Sequence, residues 1–294
     1  MKQKVSLVLS GGGARGIAHI GVIEELEKMG FEIICVTGTS MGALVGGVYA
    51  LGKMKEFSEW LITLDKKKVF SLVDFTLSSQ GLIKGDKVFN TMKLLIRDEN
   101  IENLKIDYAA VATDLINRKE VVFRKGSIYD AIRASIAIPT LFTPVKRDNG
   151  LLVDGGVLNN IPISHAKRVP EDILIAVNVN AAVPVIQKKK SKTENEKQDT
   201  AYQNKITEFY HQLWKNNPLD HEEKLGYFDL ISKTINLMTN QIALMEMEKN
   251  SPDILINISH DSCNTYDFYK AAELIEIGKI ATQQAMEAKK DLWK

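Results

Sequence analysis

Two strand–glycine–helix units follow each other in the first 51 residues, and no other feature constrains the fold as strongly. Val5-Ser6-Leu7-Val8-Leu9 is a short aliphatic run that stops at glycines, as a strand buried on both faces does. Over residues 17–29 the apolar positions Ile17, Ile20, Ile23 and Leu26 alternate with acids and lysines, and Gly30 follows as a stop. That spacing predicts an amphipathic helix. Residues 33–36 repeat the strand, and residues 41–51 repeat the helix with small apolar side chains throughout. Such alternation predicts an α/β layered fold with a largely parallel sheet.

Further strands are expected at 108–113, 120–123, 151–153, 173–179 and 254–258. Helices are expected at 53–64, 85–97, 127–135, 227–249 and 269–289. The strands run from residue 5 to residue 258, which predicts one domain over 1–294. The exception is about 187–224, which opens KKKSKTENEKQDT and holds too few aliphatic residues to offset the entropy of ordering. A mobile loop is the default there. Tyr202, Phe209, Tyr210 and Trp214 keep a lid or membrane-contact element open. The helix carrying Leu230, Leu237, Ile242 and Met245 could be core, dimer surface or acyl-channel wall, and its helical periodicity favours core.

Gly38-Thr39-Ser40-Met41-Gly42 fits G-x-S-x-G, the turn that lifts a nucleophilic serine between a strand and a helix. Glycines two residues to either side leave room for a strained backbone. The following helix directs its N-terminal N–H groups toward the hydroxyl, where an oxyanion would form. Five residues alone are weak evidence. The strand before them and the apolar helix after them make the pattern count.

The loop Ser10-Gly11-Gly12-Gly13-Ala14-Arg15-Gly16 has three readings. Gly11, Gly13 and Gly16 satisfy G-x-G-x-x-G, but the second strand ends in Val36-Thr37-Gly38-Thr39 without the acid that would bind a ribose. A phosphate-binding P-loop needs Gly-Lys-Ser/Thr, where this chain has Gly16-Ile17-Ala18. An oxyanion hole suits the third reading, since consecutive glycines let backbone N–H groups converge. Arg15 points into the site or clamps the loop.

Serine needs a base. His19, His165, His211, His221 and His260 are the five histidines, and none lies in a recognisable motif. His165 is expected to begin a helix after Pro162. Ser40, Asp154 and His260 formally follow the Ser–Asp–His order of an α/β-hydrolase, but that fold places several strands before its nucleophile and here there is room for two. Asp154-Gly155-Gly156 after Leu151-Leu152-Val153 puts a carboxylate at a strand end. Taken alone, Asp-Gly reads as a plain turn.

The segments VLSGGGARGIAHIGVIEELEKMG, VTGTSMGALVGGVYALG and LLVDGGVLNNIP together strongly resemble the patatin-like phospholipases. The likeness is to a bacterial, cytoplasmic branch similar to the catalytic part of neuropathy-target-esterase-like serine esterases. QGLIKGDK, AAVATDLINRKEVVF and AIRASIAIPTLFTPV extend it over nearly the whole chain outside 187–224. The resemblance implies a three-layer α/β/α fold with a mostly parallel central sheet and a Ser–Asp dyad. By it, Ser40 is the nucleophile and Asp154 the general base. Gly11, Gly12 and Gly13, helped by Arg15, form the oxyanion hole, and Gly16, Gly38, Gly42, Gly155 and Gly156 are motif glycines.

The implied function is a serine lipid acyl hydrolase acting on phospholipids, lysophospholipids or other acyl esters, without metal or organic cofactor. Two alternatives stand beside it: an acyl transferase on a related fold, whose serine generally pairs with a histidine, and a non-catalytic regulatory protein with a vestigial site. A net charge of +1 gives no field to attract nucleic acid. Two cysteines make no disulfide framework, and Cys35 reads as a reduced core thiol. The first apolar stretch is too short for a signal peptide, and no run approaches the roughly 20 residues that cross a bilayer. A cytoplasmic protein is expected. Peripheral contact with the inner membrane surface and a homodimer are both left open.

Overall fold

The computed structural model describes residues 2–72, 74–78, 81–83, 85–139, 141–186 and 227–293. The chain divides into two compact units, residues 1–186 with 236–294, and residues 187–235. Of the second unit only 227–235 is described, and it is helical. The polar segment at 187–224, with its four aromatic residues, lies outside the described residues.

The strands are β1 (Lys4–Leu9), β2 (Glu32–Thr39), β3 (Phe75–Ser78), β4 (Gly81–Ile83), β5 (Asp107–Asp114), β6 (Lys119–Phe123), β7 (Val145–Arg147), β8 (Gly150–Asp154), β9 (Ile173–Ala181) and β10 (Ile254–Ser259). The helices are α1 (Ala18–Lys28), α2 (Met41–Ala50), α3 (Met54–Ile62), α4 (Lys66–Ser71), α5 (Asp86–Leu95), α6 (Ile128–Ser135), α7 (Tyr227–Lys249) and α8 (Ala271–Ala288). The main sheet runs β10-β9-β1-β2-β5-β8-β7, with β6 also on β5. From β10 to β5 every pairing is parallel, and β8, β7 and β6 are antiparallel additions.

Alternate residues of the central strands feed different sides. Leu7 and Leu9 join the large core with Ile20 of α1, Val45 of α2 and Leu274 of α8, whereas Val8 joins a smaller cluster with Ile161, Ile163 and Ala243 of α7. This period of two makes the expected three layers, since each face must be covered. The outer helices α1 and α8 approach so closely that a methyl group on Gly21 would lie 1.8 Å from the Ile275 carbonyl oxygen, and one on Gly278 would lie 2.0 Å from that of Ala18. Only glycine permits that backbone approach.

Three elements escape the sequence patterns. Helix α4, KKKVFS, is too short to show a period, though Asp65 caps it by accepting the Lys68 N–H at 2.8 Å. The β3–β4 hairpin is short. Strand β7 reaches β8 through the two-residue turn Asp148-Asn149, with Asp148 at φ 50°.

Two expectations are corrected. His165 does not begin a helix: it ends a single 3-10 turn, Ile163–His165, because Pro170 drives the residue before it out of helical conformation and leaves too little chain. On α7 the core assignment fails for Leu230, Leu237 and Met245, which are 54%, 71% and 60% exposed, while the helix buries Ala243 instead. Helical periodicity identifies an apolar side but not what covers it.

Candidate active site

The register of the sheet brings Ser40 and Asp154 together. Strand β5 pairs through Asp107–Val111 with β2, so Thr39 lies opposite Val111. Its next residues, Ala112, Thr113 and Asp114, pair with β8, and Asp154 lies opposite Ala112. The other edge of β5 is occupied by β6 over Ala110 to Asp114. Strand β8 therefore takes over the edge that β2 vacates, end to end with it. Ser40 leaves β2 where Asp154 arrives on β8.

The turn itself is strained. Ser40 has φ 54° and ψ −123°, a conformation costly for any residue with a side chain. Its surroundings impose it. The Ser40 N–H donates to Ser135 Oγ at 2.8 Å, and that hydroxyl donates to the Val111 carbonyl at 2.6 Å. Thr39 Oγ1 donates to the Asn159 carbonyl at 2.8 Å. Behind the turn, a methyl group on Gly42 would lie 2.2 Å from the Leu9 carbonyl oxygen, and one on Gly38 would lie 2.4 Å from the Gly42 carbonyl carbon. The flanking glycines are thus required for packing of α2 against β1 and β2. The Met41 N–H, at the first turn of α2, has no acceptor among the described residues.

Asp154 is buried. Its Oδ1 accepts the Gly156 N–H at 2.8 Å, and its Oδ2 is buried without a hydrogen bond among the described residues. Loss of water pushes the carboxyl up to about 6, against smaller opposing pulls from the Ser40 hydroxyl and the Gly156 amide. The hydroxyl is near enough to act on the carboxyl, yet the pair is not closed into a hydrogen bond. Gly155 packs against β5, where a methyl group would lie 2.2 Å from the Val111 carbonyl oxygen.

The glycine bend reaches the same place. A methyl group on Gly11 would lie 3.0 Å from Ser40 Cβ, and one on Gly16 would lie 2.5 Å from Met41 Cγ. Within the bend the amides differ. The Gly11 N–H donates to the Asn160 carbonyl at 3.0 Å, so it is already engaged. The Gly12 and Gly13 N–H groups have no acceptor among the described residues. Gly13 needs its glycine for φ 58°. Arg15 takes the clamping role of its two options: Nη2 and Nε donate to Asn180 Oδ1 at 2.8 and 3.3 Å, and Nη1 donates to the Cys263 carbonyl at 3.3 Å. Asn180 Nδ2 in turn donates to the Gly11 carbonyl at 2.7 Å. His19 Nε2 lies 2.8 Å from the Ser10 carbonyl and must donate to it. Burial holds the His19 ring at a pKa of about 4, hence neutral.

No described histidine hydrogen-bonds to Ser40 or Asp154. His165 pairs with Glu120 at 2.6 Å, and His260 pairs with the Ala181 carbonyl and Asp261. His211 and His221 lie outside the described residues. Among the described residues no cluster of His, Cys, Asp or Glu could hold a metal ion, both cysteines are free and buried, and no helix is long and apolar enough to cross a membrane. Ser135, Asn160 and Asn180 support the site without any chemical signal of their own in the sequence, and His19 is visible there only as one of the five histidines. Ser135 and Asn160 lie inside the segments AIRASIAIPTLFTPV and LLVDGGVLNNIP, and Asn180 lies in none of the segments that carry the resemblance.

The patatin-like phospholipase family model matches residues 7–167. An uncharacterized NTE family protein of Mycobacterium tuberculosis is 31% identical, over 97% of this chain and 92% of its own length. Lysophospholipase NTE1 of Scheffersomyces stipitis is 28% identical over 94% of this chain, which spans 17% of that protein. Among solved structures, VipD from Legionella pneumophila matches with a TM-score of 0.50 at 14% identity, covering 98% of this chain and 67% of that one, a likeness of fold. With the matched segment holding the glycine bend, the Ser40 turn and Asp154 together, the chain belongs to the patatin-like phospholipase family.

Proposed function

We propose that the protein hydrolyses acyl esters of lipids, with Ser40 as nucleophile and Asp154 as general base. The observation that supports this most is the meeting, on one edge of β5, of a strained serine turn and a buried carboxylate with one free oxygen. The names of the relatives, one a lysophospholipase, suggest the substrate class.

In the proposed cycle Asp154 accepts the Ser40 proton as Oγ bonds to the ester carbon. The Gly12 and Gly13 N–H groups, with Met41 at the start of α2, are the donors offered to the oxyanion. The carbon–alkoxy bond then breaks, and the leaving oxygen takes the proton from Asp154. Water repeats the sequence: its proton goes to Asp154, its oxygen bonds to the acyl carbon, and Ser40 departs with the proton returned. A carboxylate held near 6 is a better base than an ordinary one, yet stays ionised at neutral pH.

The pH profile follows. The base works only when deprotonated, so kcat/KM for a neutral ester rises with pH to a plateau, with its midpoint near 6. A flat profile between pH 5 and 8 would contradict a base raised this far. His260→Ala leaves p-nitrophenyl ester hydrolysis within about twofold of the parent, since its ring is held by Ala181 and Asp261; a loss beyond roughly 10²-fold would restore the triad. The activity itself is tested by incubating the protein with lysophospholipid and quantifying free fatty acid. Release that Ser40→Ala abolishes supports the proposal, and its absence from the parent protein counts against it.

A further inference from the structure

The loop between β5 and β6, Leu115-Ile116-Asn117-Arg118, is closed by polar groups. Asp114 Oδ1 accepts the Ile116 N–H at 3.0 Å and the Asn117 N–H at 3.2 Å, and Asp114 Oδ2 accepts from Asn117 Nδ2 at 2.7 Å. The Leu115 N–H donates to the Leu151 carbonyl at 3.0 Å, which ties the loop to β8. Neither aliphatic side chain is needed to hold such a turn, where polar residues serve as well. Yet Leu115 is 45% exposed and Ile116 61% exposed. Two adjacent aliphatic side chains held out on a fixed turn mark a surface that something else covers.

The same surface is basic, although the chain as a whole has a net charge of only +1. Residues 115–125 and 145–150 carry six cationic side chains and two carboxylates, and one of those carboxylates, Glu120, is engaged by His165. Arg118, Lys119, Lys146 and Arg147 are exposed and form no ion pair among the described residues. The register keeps them beside the apolar tip. Lys146 lies opposite Leu151, whose carbonyl holds the Leu115 amide, and Arg147 lies opposite Gly150. The Arg147 guanidinium stands 4.8 Å from the centre of the Phe123 ring, in a cleft of about 690 Å³ that Lys119, Arg124 and Lys125 also line. Its carboxylates are Asp114, taken by the turn, and Asp148.

Strand β5 carries this tip past the candidate active site. Ala112 lies opposite Asp154, and Leu115 follows three residues later, about 10 Å further along the strand. Because β2 and β5 are parallel, with Thr39 opposite Val111, Ser40 leaves the sheet at the same edge. We propose that the β5–β6 turn docks the protein on an anionic lipid surface, with Leu115 and Ile116 inserted and Arg118, Lys119, Lys146 and Arg147 around them. Aliphatic side chains enter the headgroup boundary while the cations meet lipid phosphates. The choice of a lipid surface rests on the lipid-ester reading above, and docking by this turn brings the Ser40 edge toward the layer that holds the substrate.

The test uses the full chain with vesicles of phosphatidylcholine alone and of phosphatidylcholine mixed with phosphatidylglycerol, and measures bound protein by flotation. The expected result is binding to the mixed vesicles that weakens on phosphatidylcholine alone and at about 0.5 M salt. Leu115→Ser with Ile116→Ser, and Lys146→Gln with Arg147→Gln, each lower the partition coefficient by roughly 10-fold or more. All four side chains are exposed and outside the catalytic machinery, so p-nitrophenyl ester turnover and thermal melts stay those of the parent. A parent that does not bind, equal binding to both vesicle types, or paired variants that bind as the parent does overturns the proposal. So does a dimer in solution that Leu115→Ser with Ile116→Ser dissociates, since the tip would then serve a second copy of the chain. A parent that floats with the vesicles through this turn but hydrolyses no ester overturns the Ser40–Asp154 chemistry alone, whereas an active parent that ignores the vesicles overturns the docking surface alone.

Discussion

Ser40→Ala lowers p-nitrophenyl ester hydrolysis by roughly 10⁵- to 10⁶-fold, the scale on which loss of a serine nucleophile is felt. Nothing else described in the site replaces it: Ser135 is occupied by the Ser40 N–H and the Val111 carbonyl, and neither cysteine is exposed. The loss is chemical rather than structural, and a companion variant demonstrates it. At φ 54° a glycine is free of the strain that any side chain suffers, so Ser40→Gly is equally inactive while melting higher, by about 1 kcal/mol of stability. Thermal melts beside the assay check both halves. A Ser40→Ala enzyme retaining more than about 1% of activity would place the nucleophile elsewhere.

Asp154→Asn lowers turnover by roughly 10³-fold or more, because the amide cannot accept the proton while its oxygen can still accept the Gly156 N–H. The same change stabilises the fold. In the native state the carboxyl titrates at about 6, above its ordinary 3.8, so between those values the folded protein holds a proton that the unfolded chain has released. Wild-type stability therefore falls as pH rises from about 4 to about 6, and the penalty persists above. Removing it is worth about 3 kcal/mol at pH 8 and nothing at pH 3. Denaturant melts of parent and variant at both pH values test the sign; a variant less stable than the parent at pH 8 would mean that the carboxylate is better accommodated than its surroundings indicate. Activity and stability move in opposite directions, as expected where a site is kept strained for its chemistry.

How far the sequence was readable follows from where the determining contacts lie. Strands β1, β2, β5 and β9 are covered on both faces, so each carries a mostly apolar stretch that needs no partner to be recognised. The Ser40 turn is equally local, since strand, glycines, serine and helix are contiguous. Asp154 is different. Its place beside Ser40 depends on β8 pairing with β5 beyond the end of β2, a contact across the chain that no local pattern encodes. Two things single it out from a plain Asp-Gly turn: the lack of another base for Ser40 and the resemblance of three separated motifs.

The glycine bend shows the same division. That its amides gather near the serine could be anticipated from consecutive glycines. That Asn160 claims the Gly11 N–H, and that Arg15 grips Asn180 rather than entering the site, are long-range outcomes. The α7 side chains mark the reverse failure, where a clear period misled because it does not specify what lies opposite.

The central claim is that Ser40 owes its reactivity to Asp154. The rate of covalent labelling by a fluorophosphonate, followed by mass spectrometry of the peptide carrying residue 40, measures that directly. One label per chain at Ser40, forming at least about 10²-fold more slowly in Asp154→Asn, is the predicted result. Labelling of another residue, or equal rates in the two proteins, would contradict it.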